Sequence, residues 1–250
     1  MVLGIVAVGV FVVGDRLRPK TWREPEGEPG TVVELINTLF IAVAAFVVVI
    51  GWQNYDNAHN HTVAEAKGLV EVYRGAGDLP DSARVQNLVR QYTGQVVTEE
   101  WSVMDEQRKL ADSAQATLDE LRSVIEGADT GVAKLAGTAT DPDSDPREAV
   151  LASLDAVEQS RVDRALDAGL AMPGFLYFAL WLTAFLLLFS AVLSGVVVNR
   201  RSLVMTALLG VVVGGTITVI YGLDRPFSGS NVVSKAAFEL ALSRFDQISG

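Results

Sequence analysis

The stretch VVELINTLFIAVAAFVVVIGW, residues 32–52, decides how the rest of the chain is read. It carries one charged side chain, Glu34, near its start. At 1.5 Å rise per residue, about 20 apolar residues cross a hydrocarbon core ~30 Å thick, so the stretch predicts a transmembrane helix. Residues 173–198 and 203–223 carry no charge and predict two more. Residues 1–14 are apolar but shorter. They lack a basic segment before them and a small-residue cleavage motif after them, so they read as a short first span rather than a signal peptide.

The remaining charge is segregated. Residues 53–170 hold 11 Lys/Arg and 22 Asp/Glu, a net of −11, against −10 for all 250 residues. The expected fold class is therefore an all-α integral membrane protein. Four transmembrane helices (1–14, 32–52, 173–198 and 203–223) carry an acidic helical extramembrane domain, 53–170, between the second and third. A short loop covers 15–31, and a turn with a C-terminal amphipathic helix covers 224–250. An even number of spans puts both termini on the same side of the cell membrane as the acidic domain.

Lys and Arg near the spans number six on the short-loop side (Arg16, Arg18, Lys20, Arg23, Arg200, Arg201) and five on the other (Lys67, Arg161, Arg164, Arg225, Lys235). That margin of one leans toward cytoplasmic short loops. A pI near 4.7 excludes a nucleic-acid binder, which needs a basic face against phosphates. The absence of cysteine excludes disulfides, iron–sulfur clusters and a thiolate nucleophile.

Within the acidic domain the apolar spacing predicts helices and no strands. Asp81 is placed to cap a helix with Val85, Leu88, Val89, Tyr92 and Val96 inward. Met104, Ala111, Leu118 and Ile125 recur at sevens, with Ala114 and Leu121 between them, as in antiparallel packed helices. A Gly- and Asp-Pro-rich loop is expected over 127–146. Asp145, Pro146 and Glu148 then mark a helix start, with Leu151, Leu154, Val157, Val162 and Leu166 along one side. After the last span, Ser230 caps a helix whose apolar side is Val233, Ala236, Ala237, Leu240, Ala241 and Phe245.

No pattern indicates catalysis: there is no phosphate loop, nucleophile elbow or zincin box, and neither a cofactor nor a metal is expected. His59 and His61, the only histidines, would lie about 200° apart on a helix and cannot share one ion. Glu99-Glu100, Asp105-Glu106 and the run Glu65, Lys67, Glu71, Arg74 read as solvated faces, with Glu71 and Arg74 a favourable pair. Trp52 and Tyr55 read as interfacial anchors, and Trp101 as a packing anchor.

These residues together resemble the bestrophin-like membrane proteins of bacteria. The resemblance rests on Asn57-Ala58, Glu65-Ala66 and Arg74 on the helix leaving the second span. It rests also on Val72-Tyr73-Arg74, Leu79-Pro80, Tyr92 and Glu99-Glu100-Trp101, and on the turn Asp224-Arg225-Pro226-Phe227-Ser228-Gly229. It implies a homo-oligomeric ring, typically a pentamer, around an anion pore lined by the second span, with the helical domain in the cytoplasm. The calcium clasp of gated bestrophins has no counterpart, because Ser230-Asn231-Val232-Val233-Ser234 lacks clustered carboxylates.

On the second span Phe46 and Ile50 follow at i, i+4 and are the candidates for an apolar constriction, with Asn54 beyond them at its wider mouth. Asp224, Arg225, Pro226, Phe227 and Gly229 form a structural turn. The competing expectation is a non-conducting scaffold in the lipid bilayer, whose acidic domain binds a basic protein partner.

Overall fold

The computed structural model describes residues 2–17, 30–127, 146–193, 200–229 and 232–249. Among them the chain is helical, with no strand. The elements are α1 (Val2–Leu17), α2 (Gly30–Gly75), α3 (Ser82–Gln95), α4 (Trp101–Gln107), α5 (Asp112–Gly127), α6 (Pro146–Gly169), α7 (Gly174–Leu193), α8 (Arg200–Leu223) and α9 (Ala236–Ser249). A 3-10 turn, Ala76–Asp78, follows α2, and a π-turn, Val96–Glu100, joins α3 to α4. The expected loop over 127–146, the caps at Asp145 and Ser230, most of loop 15–31 and the end of the third span lie outside the described residues.

The chain divides into two compact units: residues 1–53 with 171–224, and residues 54–170 with 225–250. In the first, Phe40, Ala44 and Val47 of α2 meet Leu176, Leu180, Ala184 and Leu187 of α7 and Val213, Ile217 and Ile220 of α8. α1 packs against α7 and α8. α2 and α8 are each long and apolar enough to cross a bilayer, and α6 with α7 makes a third if the interrupted pair is taken as one span. The 16-residue α1 is about 24 Å long, short of a ~30 Å core.

The second unit is a helical bundle, and its chain reversals follow from close backbone approach. A Cβ added at Gly68 would lie 2.7 Å from Val157 Cγ2, and one at Gly75 would lie 2.7 Å from Val150 Cγ2. Seven residues forward on α2 match seven residues back on α6. The two helices therefore run antiparallel, with valines seated over glycines.

Several expectations need correcting. The seam at sevens is buried throughout, at Met104, Ala111, Ala114, Leu118, Leu121 and Ile125. It does not lie on one helix, because α4 ends at Arg108 in the left-handed conformation (φ 54°) and α5 starts at Asp112. Asp81 stands at the α3 N-cap, yet its carbonyl, not its side chain, accepts from Arg84 N and Val85 N. On α6 the buried side is Val150, Leu154, Val157, Arg161 and Arg164, while Val162 and Leu166 are 54% and 61% exposed. On α9, Phe238, Ala241 and Phe245 are buried and Leu240 faces outward.

Candidate functional site

α2 carries one buried stripe along its length: Phe40, Ala44, Val47, Gly51, Ala58, Thr62, Glu65, Leu69, Val72 and Ala76, the last in the turn beyond it. Spacings of three and four, with one step of seven from Gly51 to Ala58, keep that stripe on one side of a helix. Opposite it runs an exposed line: Thr38, Ala42, Ala45, Val49, Gln53, Asp56 and Asn60. After Thr38 this line is small and apolar as far as Val49, and it is polar from Gln53 onward.

Of the three candidates on this helix, Phe46 is exposed, Ile50 is half-buried against the core of the first unit, and Asn54 is half-buried. The drift has a geometric cause. A step of four residues overshoots a full turn by about 40°, so an i, i+4 line leaves the surface within two steps.

In the second unit the observed centre is ionic and closed to water. Glu65 from α2, Glu100 from the π-turn, and Arg161 and Arg164 from α6 are all buried. Arg164 donates through Nε to Glu65 Oε2 (2.8 Å), and through Nη2 to Glu65 Oε1 (3.0 Å) and Glu100 Oε2 (2.6 Å). Arg161 Nη2 lies 2.8 Å from Glu100 Oε1, and its other donors reach Tyr92 Oη, Gln115 Oε1 and the Ala111 carbonyl. Tyr92 Oη donates to Glu65 Oε1 at 2.5 Å, and Ala111 N donates to Glu100 Oε1. The Arg164 guanidinium also lies over the rings of Phe238 (5.4 Å) and Trp101 (5.8 Å).

Two carboxylates and two guanidinia leave the cluster neutral. Burial alone would raise the Glu100 carboxyl, but Arg164 and Arg161 outweigh it and hold the group below the usual carboxylate range. Burial, reinforced by Glu65, pushes the Tyr92 phenol well above its ordinary value and keeps it a donor. The carboxylate oxygens are occupied by guanidinium and hydroxyl donors. The arrangement acts as a clamp that ties α2, α3, the π-turn and α6 together, rather than as acid–base chemistry.

The turn after α8 is held by buried polar contacts. Asp224 is buried and accepts from Met172 N at 2.6 Å. Pro226 O accepts from Val233 N at 2.7 Å, and Gly229 takes φ +85°. Phe227 packs with Ala58, Met104 and Val233 and meets the Trp101 ring edge-on at 6.2 Å. Trp101 Nε1 donates to Val233 O at 2.8 Å, in keeping with its reading as an anchor. Arg225 is exposed.

The reading of Glu65 and Glu100 as solvated faces is overturned, and two of the arginines counted beside the spans are buried with them. Glu65 and Glu100 are fully buried, and Arg161 and Arg164 are not free surface cations. His61 is bonded through Nδ1 to Asp167 Oδ2 at 2.7 Å, whereas His59 is exposed. The signal for the clamp was periodicity: Glu65 occupies a core position between Thr62 and Leu69, and Arg161 and Arg164 continue the stripe of Val150, Leu154 and Val157.

The comparisons agree with this architecture. The description "Bestrophin-like domain" matches residues 1–238. A bacterial bestrophin homologue from Klebsiella pneumoniae, crystallised as a point variant, is similar at 12% identity and TM-score 0.67, covering 100% of this chain and 96% of that chain. A crystal structure described as a membrane protein is similar at 15% identity and TM-score 0.67, covering 99% and 97%. Among curated protein sequences none matches significantly. An all-helical chain matched over nearly its whole length by that one description belongs to the Bestrophin-like family.

Proposed function

We propose that the chain is the protomer of a ring-shaped membrane channel that passes anions, with α2 lining the conduction path. The observation that carries this reading is the exposed line of α2. It belongs to an unbroken 46-residue helix and turns from apolar to polar near Gln53, as a hydrophobic constriction opening into a wet vestibule requires.

Phe46 is exposed beside this line and stays the first candidate for the narrow part, with Ile50 and Asn54 behind it. The acidic excess of the chain does not gather here. Beyond Gln53 the charged side chains exposed on the outward side of α2 are Asp56, Lys67, Glu71 and Arg74, which sum to zero. In this reading α1, α2, α7 and α8 are the four spans. The acidic domain and both termini lie on the cytoplasmic side, as in the family resemblance.

Purified protein tests the proposal directly. A uniform oligomer in detergent and anion current after reconstitution into planar bilayers are expected. A monomer that stays silent across voltages and anions would overturn it and return the scaffold reading. Strong reaction of an engineered cysteine at Ser144 with an impermeant reagent outside whole cells would reverse the orientation.

A further inference from the structure

On the second unit, α2 and α9 leave a groove of about 360 Å³ between them. Its floor is shallow in side chains, because Ala66 and Ala241 face each other there and are 3% and 2% exposed. Val63, Val70 and Leu240 wall it, and Leu240 is 70% exposed, a large cost for a leucine left in water. The rim carries Lys67 and Arg244, and no carboxylate lines the groove. In a unit (54–170 with 225–250) whose charges sum to −10, a groove lined by two cations and no carboxylate is a local exception.

A ridge with the opposite properties stands on α6. Val162 and Leu166 are 54% and 61% exposed, and Leu170, one turn on, is 54% exposed. Asp163 flanks this ridge, whereas Asp155, before its start, is already paired with Arg122. From Val162 to Leu170 the ridge is about 12 Å long, and from Val63 to Val70 the groove is about 10 Å. Apolar ridge, apolar groove, acidic flank and basic rim are complementary in sign and length.

We infer that the α2–α9 groove of one protomer receives the Val162–Leu166 ridge of a second copy of this chain, in a head-to-tail contact. Because ridge and groove are different surfaces, each copy has one of each to offer, and the contact can repeat from copy to copy and close into a ring where the rotation between neighbours divides the circle. This rests on the ring proposed above and names the surfaces that build it.

The chain has no cysteine, so disulfide trapping in the full-length protein needs no background removal. In the double variant Leu166→Cys with Leu240→Cys, oxidation should convert the monomer band on a denaturing gel into a ladder ending at the full ring. Each single variant should remain monomeric on that gel, and a mixture of the two co-assembled singles should give covalent dimers and no longer ladder. Covalent dimers from either single variant alone would overturn the head-to-tail contact. A double variant that stays uncrosslinked, or closes within one chain, while its native size remains that of a ring would overturn this interface and leave the ring standing. A monomeric native size before oxidation would overturn the ring reading, and this contact with it.

Discussion

Arg164 and Glu65 are 99 residues apart in sequence and form a two-pronged ion pair in which neither side chain touches water. Such a pair does not stabilise in proportion to its Coulomb energy, because both ions lose their hydration. Its energetic weight shows when it is broken. Arg164→Met leaves Glu65 and Glu100 with only Arg161 between them, and should destabilise the protein by about 3–5 kcal/mol. Arg164→Lys keeps the charge but cannot fork, and should recover only part of that loss. Thermal unfolding in detergent reads both variants.

Acid should expose the clamp. The Glu100 carboxyl is held below its ordinary 4.5 in the folded protein, so its contribution is fully present above that value and is lost as pH falls through the lower folded value. Glu100→Gln should be less stable at neutral pH and should lose less on acidification. Asp167 has the opposite sign, since burial raises its carboxyl against the pull of His61. Its contribution is present below its ordinary 3.8 and is lost as pH rises through the folded value, so Asp167→Asn should not lower neutral-pH stability. Unfolding midpoints across pH 3 to 8 (about the span of carboxylate and histidine titration) would check both signs.

The two apolar candidates on α2 should behave differently. Phe46→Ala, at an exposed position, should raise single-channel current and leave unfolding unchanged. Ile50→Ala, at a half-buried one, should also cost about 2 kcal/mol, the low end for such truncations. Unaltered current in both would move the constriction to another part of the line.

Asp224→Ala removes the acceptor from the buried Met172 N–H and should cost about 1–3 kcal/mol. Asp224→Asn retains an acceptor oxygen and should restore most of it. Equal melting temperatures for wild type and the alanine variant would reduce the turn to a linker.

Gly68→Ala should destabilise, because the new methyl would sit 2.7 Å from Val157 Cγ2. Adding Val157→Ala should relieve the clash, so the double variant should be more stable than the sum of the two singles allows.

Much of this architecture is legible in the sequence because one signal carries it. Uncharged runs mark the apolar helices, and three-four spacing marks the buried sides of α2, α3 and α5. The failures share a cause. Residue type sends Glu65 and Glu100 to water and gives Arg161 and Arg164 no inward role, although all four positions are buried. The break at Arg108 left no trace, because no Gly or Pro stands there and the seam at sevens continues across it. Leu240 and Val162 were assigned inward by the same habit, and their exposure is what marks the proposed contact.

The clamp also fixes when this domain can be completed during synthesis. Glu65 and Glu100 leave the ribosome well before their guanidinium partners; at ~5–20 residues per second, the 99 residues between Glu65 and Arg164 take about 5–20 s. Even then the Arg164 guanidinium lacks the Phe238 ring it lies against, which is translated only after α7 and α8. The acidic segment 53–170, released alone, would carry its ions without the Phe238 ring that covers Arg164. The nascent domain must therefore wait, partly open, until both later apolar helices have been translated, and a stalled or truncated chain presents quality-control proteases with an unfinished core rather than a folded module.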